Sequence, residues 1–187
     1  MSRFFAVIVA GMWSVFSALG QTPPANPASV AASAVNSLGV DLLHQTGRIG
    51  GNTLLSPYSI QTALAMTYAG ADGATRDEMA RVLHLQTEAM QVANHFSALQ
   101  RSLNEVVQRS VQAADERKKY GGTNDAITLD VASRLFGQQG YDFRPAFLEA
   151  LKTKYNAPLE PLDFRKNAGG ATKTINDWVA QQTHQRI

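Results

Sequence analysis

Few residues in this chain are equipped for chemistry. Ser56 and Ser59 stand three apart around Pro57 and Tyr58. A serine ahead of a proline is the default cap of a helix. On residue physics alone, Ser56 therefore reads as an N-cap and Ser59 as part of the first turn. Gly-x-Ser-x-Gly does not occur, so neither serine sits in a nucleophile elbow. His44, His84, His95 and His184 are scattered, with no second ligand at helical spacing, and cysteine is absent. That removes disulfides, thiolate metal sites and cysteine catalysis, and it argues for no metal and no cofactor. Gly47-Arg48-Ile49-Gly50 has the outline of a GxxG nucleic-acid clamp but lacks the flanking pattern, and reads as a glycine linker. Arg117-Lys118-Lys119 follows Asp115 and Glu116, so it reads as a solvated charge run and not as a glycosaminoglycan or nucleic-acid site.

The elements that position these residues follow from periodicity. Val35, Leu38, Leu42 and Leu43 make an apolar stripe on a helix from Ser29 to Gln45, and 52–55 is a short candidate strand. From Pro57, the residues Ile60, Ala63, Leu64, Ala65, Met66 and Tyr68 surround the next helix, which predicts a rod buried on all sides. Thr75 and Glu78 form a capping box for a third helix, with Met79, Val82 and Leu83 inward. A longer helix over 88–114 packs through Val92, Phe96, Leu99, Leu103 and Val106, and the charge run and Gly121-Gly122 end it. Residues 126–136 alternate with period two and predict a strand; without a neighbour it would expose a long apolar edge. A helix with Phe143, Phe147, Leu148, Leu151 and Tyr155 follows. Next comes a proline-bearing edge strand within 158–164, then a helix from Ala171 to Gln182 that buries Ile175, Trp178 and Val179.

Length and composition set the class. The 187 residues suffice for one domain with a real core, 44% of them are apolar, and 17 basic side chains nearly balance 15 acidic ones. Such a balance gives no electrostatic footprint for nucleic acid. Arg3, the apolar run Phe4–Phe16 and Ala18-Leu19-Gly20 predict a signal peptide over residues 1–20. The run is short for a membrane anchor, given a hydrocarbon core of ~30 Å. The expected location is secreted or extracellular, or periplasmic in a bacterium. Residues 21–28, with Pro23, Pro24 and Pro27, read as a proline-rich linker.

Three segments together resemble the serpin family of protease inhibitors. The first is 52–85, with Ser56-Pro57-Tyr58-Ser59 and Gly70-Ala71-Asp72-Gly73-Ala74-Thr75. The second runs through Ala132-Ser133-Arg134-Leu135-Phe136 into Tyr141, Phe147 and Leu148. The third is Leu162-Asp163-Phe164 followed by Ile175-Asn176-Asp177-Trp178-Val179 and Gln182-Thr183. Their order and spacing are similar to the family from its first helix to just past its sixth. Gly169-Gly170 departs from the helix formers usual there.

The resemblance implies an α+β fold, with helices packed around mixed β-sheets, of which 29–187 is the N-terminal portion. In the family a loop near the C-terminus presents a scissile bond to a serine protease, in some cases a cysteine protease. After acylation the loop inserts into the main sheet and distorts the captured enzyme, so no catalytic residue belongs to the inhibitor. That reactive-site bond is absent from these 187 residues. Ser56 and Ser59 match the family's shutter serines, beneath the main sheet. The first expectation is an exported serpin-family protein, truncated and unable to inhibit alone. The alternative is a non-inhibitory remnant that binds a partner such as a separate C-terminal serpin half. An unrelated secreted α+β module is a third reading.

Overall fold

The computed structural model describes residues 26–48, 51–85, 88–123 and 125–186. The predicted signal peptide and most of the proline-rich linker lie outside them. The described residues form helices α1 (Pro27–Gly47), α2 (Pro57–Tyr68), α3 (Gly73–Val82) and α4 (Ala89–Lys119), then β1 (Phe136–Gln138), α5 (Pro145–Lys154), β2 (Glu160–Leu162) and α6 (Ala168–Gln182).

α1 starts inside the expected linker because Asn26 caps it: its side chain accepts from the Ala28 amide at 3.0 Å, and Pro27 occupies the first helical position. Its buried stripe is Ala31, Ala34, Val35 and Leu38, whereas Leu43 is 61% exposed. The predicted stripe thus fades toward the C-terminal end, beyond the core. Gly39 lets α1 cross α2 closely, since a Cβ there would lie 2.9 Å from Pro57 Cγ.

Three predicted features are not formed. Residues 52–55 make no strand, and Leu54 is 98% exposed. The Thr75–Glu78 capping box is bypassed: Asp72 accepts from the Gly73 amide at 2.9 Å, so α3 begins earlier and both residues fall within it. No residue of α3 is buried; Leu83, just past its end, is. The strand expected over 126–136 is reduced to β1, whose parallel partner β2 is equally short, with Phe136 opposite Glu160 and Gln138 opposite Leu162. An alternating pattern makes a strand only where another strand satisfies its backbone. Upstream of β1 the Ile127 amide goes instead to Ser110 Oγ at 2.7 Å, and Ile127 and Leu129 are exposed. The helices and strands are those of the expected α+β class, and among the described residues its strands form one two-stranded parallel sheet.

α4 continues through the charge run to Lys119, and Gly121 with φ +79° ends it. Val92, Ala93 and Phe96 are buried, Leu99 and Leu103 half-buried, and Val106 exposed. Gly137 in β1 leaves room for a stack, because a Cβ there would lie 2.7 Å from the Phe143 ring and 3.0 Å from Leu159. α6 begins at Ala168, where Asn167 accepts from the Gly170 amide at 3.0 Å. The glycine has a local reason: a Cβ at 170 would sit 2.3 Å from that capping side chain. Ile175, Trp178 and Val179 are only half-buried, so α6 rests on the sheet without a sealed contact. Phe136 meets Trp178 edge-on at 5.8 Å, while Arg134 lies 5.1 Å over the Trp178 ring and pairs with Glu160.

The core joins both halves of the chain. Val35 and Leu38 of α1, Met66 of α2, Phe96 of α4, and Leu151 and Tyr155 at α5 belong to one buried cluster. No helix among the described residues is long and apolar enough to cross a membrane.

Candidate functional site

α2 has two unlike faces. Gln61, Thr62, Ala65, Met66 and Tyr68 are buried, whereas Ser56, Ser59, Ala63, Leu64 and Thr67 are exposed. At 100° per residue the exposed positions fall within one arc. The rod expected to be wrapped all round is therefore covered on one side and open on the other. The open side is small and carries no charged residue from Pro57 to Tyr68.

The buried side is pinned at two points. Gln61, fully buried, donates from Nε2 to the Leu83 carbonyl at 2.7 Å, fastening α2 to the end of α3. The Tyr155 hydroxyl donates to the Ala65 carbonyl at 3.3 Å across the core, and burial pushes the Tyr155 phenol far above its ordinary pKa. Gln61 Oε1 and Thr62 Oγ1 are buried without a partner in hydrogen-bonding geometry among the described residues. Tyr58 lies beside Thr62; burial raises its phenol pKa and the Thr62 hydroxyl partly offsets that. Gln61 escaped the sequence reading, although an amide within an otherwise apolar helix is the signal that could have found it.

The two predicted serines come together on the open side. Ser56 is the N-cap of α2, accepting from the Ser59 amide at 3.4 Å, and the two hydroxyl oxygens are 2.8 Å apart. Both side chains are exposed, so each hydroxyl keeps hydrogen-bonding capacity toward anything laid over the helix start.

Two of the histidines pair with carboxylates. His84, in a left-handed conformation with φ +54°, joins Asp41 of α1 at 2.7 Å, and His184 lies 3.7 Å from Asp130. Among the described residues no group of three or more His, Cys, Asp or Glu side chains is placed to hold a metal ion. Lys119 pairs with Glu116 at 2.5 Å and Arg117 donates to the Asp125 carbonyl at 3.3 Å, so the basic run is part of a mixed helix end.

Comparisons with known proteins agree on one family. The family described as serpin (serine protease inhibitor) matches residues 33–187. The leukocyte elastase inhibitor of Bos taurus is 37% identical over 137 residues, covering 73% of this chain and 31% of that protein. An uncharacterized serpin-like protein of Thermococcus kodakarensis is 35% identical over 155 residues, covering 83% of this chain and 33% of its own length. A solved structure titled Cleaved Serpin 42Da superposes with a TM-score of 0.57 at 27% identity, over 87% of this chain and 37% of that one. The chain thus spans about a third of the length of these relatives.

Proposed function

Because the chain belongs to the serpin family, we propose that it is the N-terminal portion of a serine-protease inhibitor, and that the open face of α2 is the seat of the main sheet. The observation that carries this is the two-faced helix: one side is sealed into a core while the other, small and uncharged, stands exposed with Ser56 and Ser59 at its start. A sheet laid there would bury Ala63 and Leu64 and give the paired hydroxyls side chains to bond, which fits a control point for sheet opening. Inhibition then needs the remaining two-thirds that the relatives possess, and these 187 residues do not trap a protease alone. Serine-type endopeptidases are the target class, with elastase-type enzymes a first choice because relatives bear that name. Export rests on Arg3 and the apolar run Phe4–Phe16; N-terminal sequencing of the secreted product should begin near Gln21.

The test joins these 187 residues to the C-terminal two-thirds of a relative. Chimera and shorter chain are each presented to elastase-, chymotrypsin- and trypsin-type enzymes. A detergent-resistant adduct is expected from the chimera only, and Ala63→Asp in the chimera should abolish it. An adduct formed by the 187 residues alone would overturn the proposal, as would a chimera indifferent to Ala63→Asp.

A further inference from the structure

We propose that the end of α4 is a processing site for a trypsin-like serine protease, cut after Lys118 or Lys119 to give a two-chain form held together by the core. The inference is independent of the inhibitory reading, since it concerns this chain as a substrate.

A protease with an acidic primary pocket needs a cationic side chain and several residues of extended backbone around the scissile bond. Arg117-Lys118-Lys119 supplies three successive cations, all exposed, and the next residue, Tyr120, is 87% exposed. The backbone there is helical, so the last turn must unwind first. What resists unwinding is burial, and Ala114 is the last buried residue of α4; 115–123 are exposed throughout. Opening this turn uncovers no apolar core; it breaks end-of-helix bonds, such as Tyr120 N–H and Gly122 N–H to the Arg117 carbonyl, both at 3.0 Å, and two exposed side-chain contacts, Lys119 with Glu116 and Arg117 with the Asp125 carbonyl. Gly121 and Gly122 add backbone freedom beyond the bond. Residues 125–135 belong to no helix or strand, so strain from the opened turn is not transmitted into a ladder.

The other exposed basic pair is held. At Arg165-Lys166 the Lys166 amide bonds Asp163 Oδ1 at 3.0 Å and the Arg165 amide bonds Gln138 Oε1 at 3.2 Å, between β2 and α6. Arg101 and Arg109 lie in the middle of α4, and Arg81, near the end of α3, is followed closely by the buried Leu83 and Leu85.

The step is peptide hydrolysis: the protease serine acylates on the Lys carbonyl, the C–N bond breaks, and water delivers a carboxylate to the lysine and a proton to the new amine. The products should stay associated. Leu151, Tyr155 and Ala157 from the C-terminal piece pack in one cluster with Val35, Met66 and Phe96 from the N-terminal piece, and the Tyr155 hydroxyl bonds Ala65 across the cut.

The experiment is a time course of the full chain with dilute trypsin, read by intact mass and by gel filtration in native buffer and in urea. The first cut should fall after Lys118 or Lys119, with both pieces co-eluting in native buffer and separating in urea. The combined substitutions Arg117→Gln, Lys118→Gln and Lys119→Gln should slow that cut roughly tenfold or more while leaving later cuts unchanged. Chymotrypsin should nick the same place after Tyr120 in both forms, reporting accessibility apart from charge. A first tryptic cut after Arg48, Arg165 or Lys166 would overturn the proposal. So would an unslowed triple variant, or pieces that part in native buffer.

Discussion

The two-faced helix makes a sharp prediction, because Ala63 and Ala65 lie two residues apart in α2 with opposite surroundings. Ala65 is fully buried and its carbonyl receives the Tyr155 hydroxyl, whereas Ala63 is exposed. Replacing either alanine by aspartate carries the same intrinsic helix cost, about 0.5–0.7 kcal/mol. At position 63 that should be nearly the whole effect. At position 65 a carboxyl would enter the core beside Met66 and Tyr155 without a partner. An uncompensated buried charge costs about 3–5 kcal/mol, a large part of an ordinary domain's stability of about 5–15 kcal/mol. For a domain of this size each kcal/mol moves the melting temperature by about 2–4 °C. Ala65→Asp should therefore lower Tm by about 6–20 °C and Ala63→Asp by no more than about 3 °C. The assay is thermal and urea unfolding of the full chain followed by circular dichroism. A pH arm supplies the sign: a buried carboxyl has its pKa raised, so the penalty at 65 should shrink below the unfolded carboxylate value of about 4 and grow as pH rises. Equal destabilisation at the two positions would refute the open-face reading, as would a greater loss at 63.

Gly137→Ala places a methyl group 2.7 Å from the Phe143 ring and should cost about 1–3 kcal/mol in urea unfolding. The Asp163 carboxyl is held below its ordinary pKa first by the Lys166 amide and then by the Gln138 side chain. Its stabilisation is thus present at neutral pH and lost as pH falls through the folded value. NMR titration should place its midpoint below that of a free aspartate, and Gln138→Leu should move it upward. Because burial raises the Tyr155 phenol, the stability it contributes is full below the unfolded value near 10 and declines as pH rises above it. In an alkaline absorbance titration one tyrosine should ionise only as the chain unfolds, and Tyr155→Phe, which keeps the ring, should remove that late component.

What was legible in the sequence depended on how local its physics was. Ser56 before Pro57 marks the start of α2 because a cap needs only its own first turn, and β2 was readable because prolines restrict where a strand can stand. Gly169-Gly170 departs from the usual helix formers, yet Asn167 caps α6 there through the Gly170 amide, and a Cβ at 170 would lie 2.3 Å from that side chain. Features that depend on distant partners were misread. Periodicity shows that Ala63 and Leu64 can face something apolar but not whether anything covers them. Thr75 with Glu78 is a sound capping box, overruled by an acceptor three residues earlier at Asp72.

If the main sheet sits on α2 as proposed, the unformed strand over 126–135 and the open face of α2 share one physical origin. A period-two segment such as 126–135 states which side would be buried, and α2 states which side is small enough to receive a sheet. Neither can act on its pattern without the third element that satisfies both. Ile127 and Leu129 lie exposed, the Ile127 amide borrows Ser110, and Ala63 and Leu64 face outward. Each compromise is one that additional paired strands would reverse together. If a chain that completes the sheet is supplied, the amides of 126–135 should gain hydrogen-exchange protection in the same step in which Ala63 becomes intolerant of charge. Protection gained at one place without the other would mean that the two openings are unrelated, and that α2 is not the floor of that sheet.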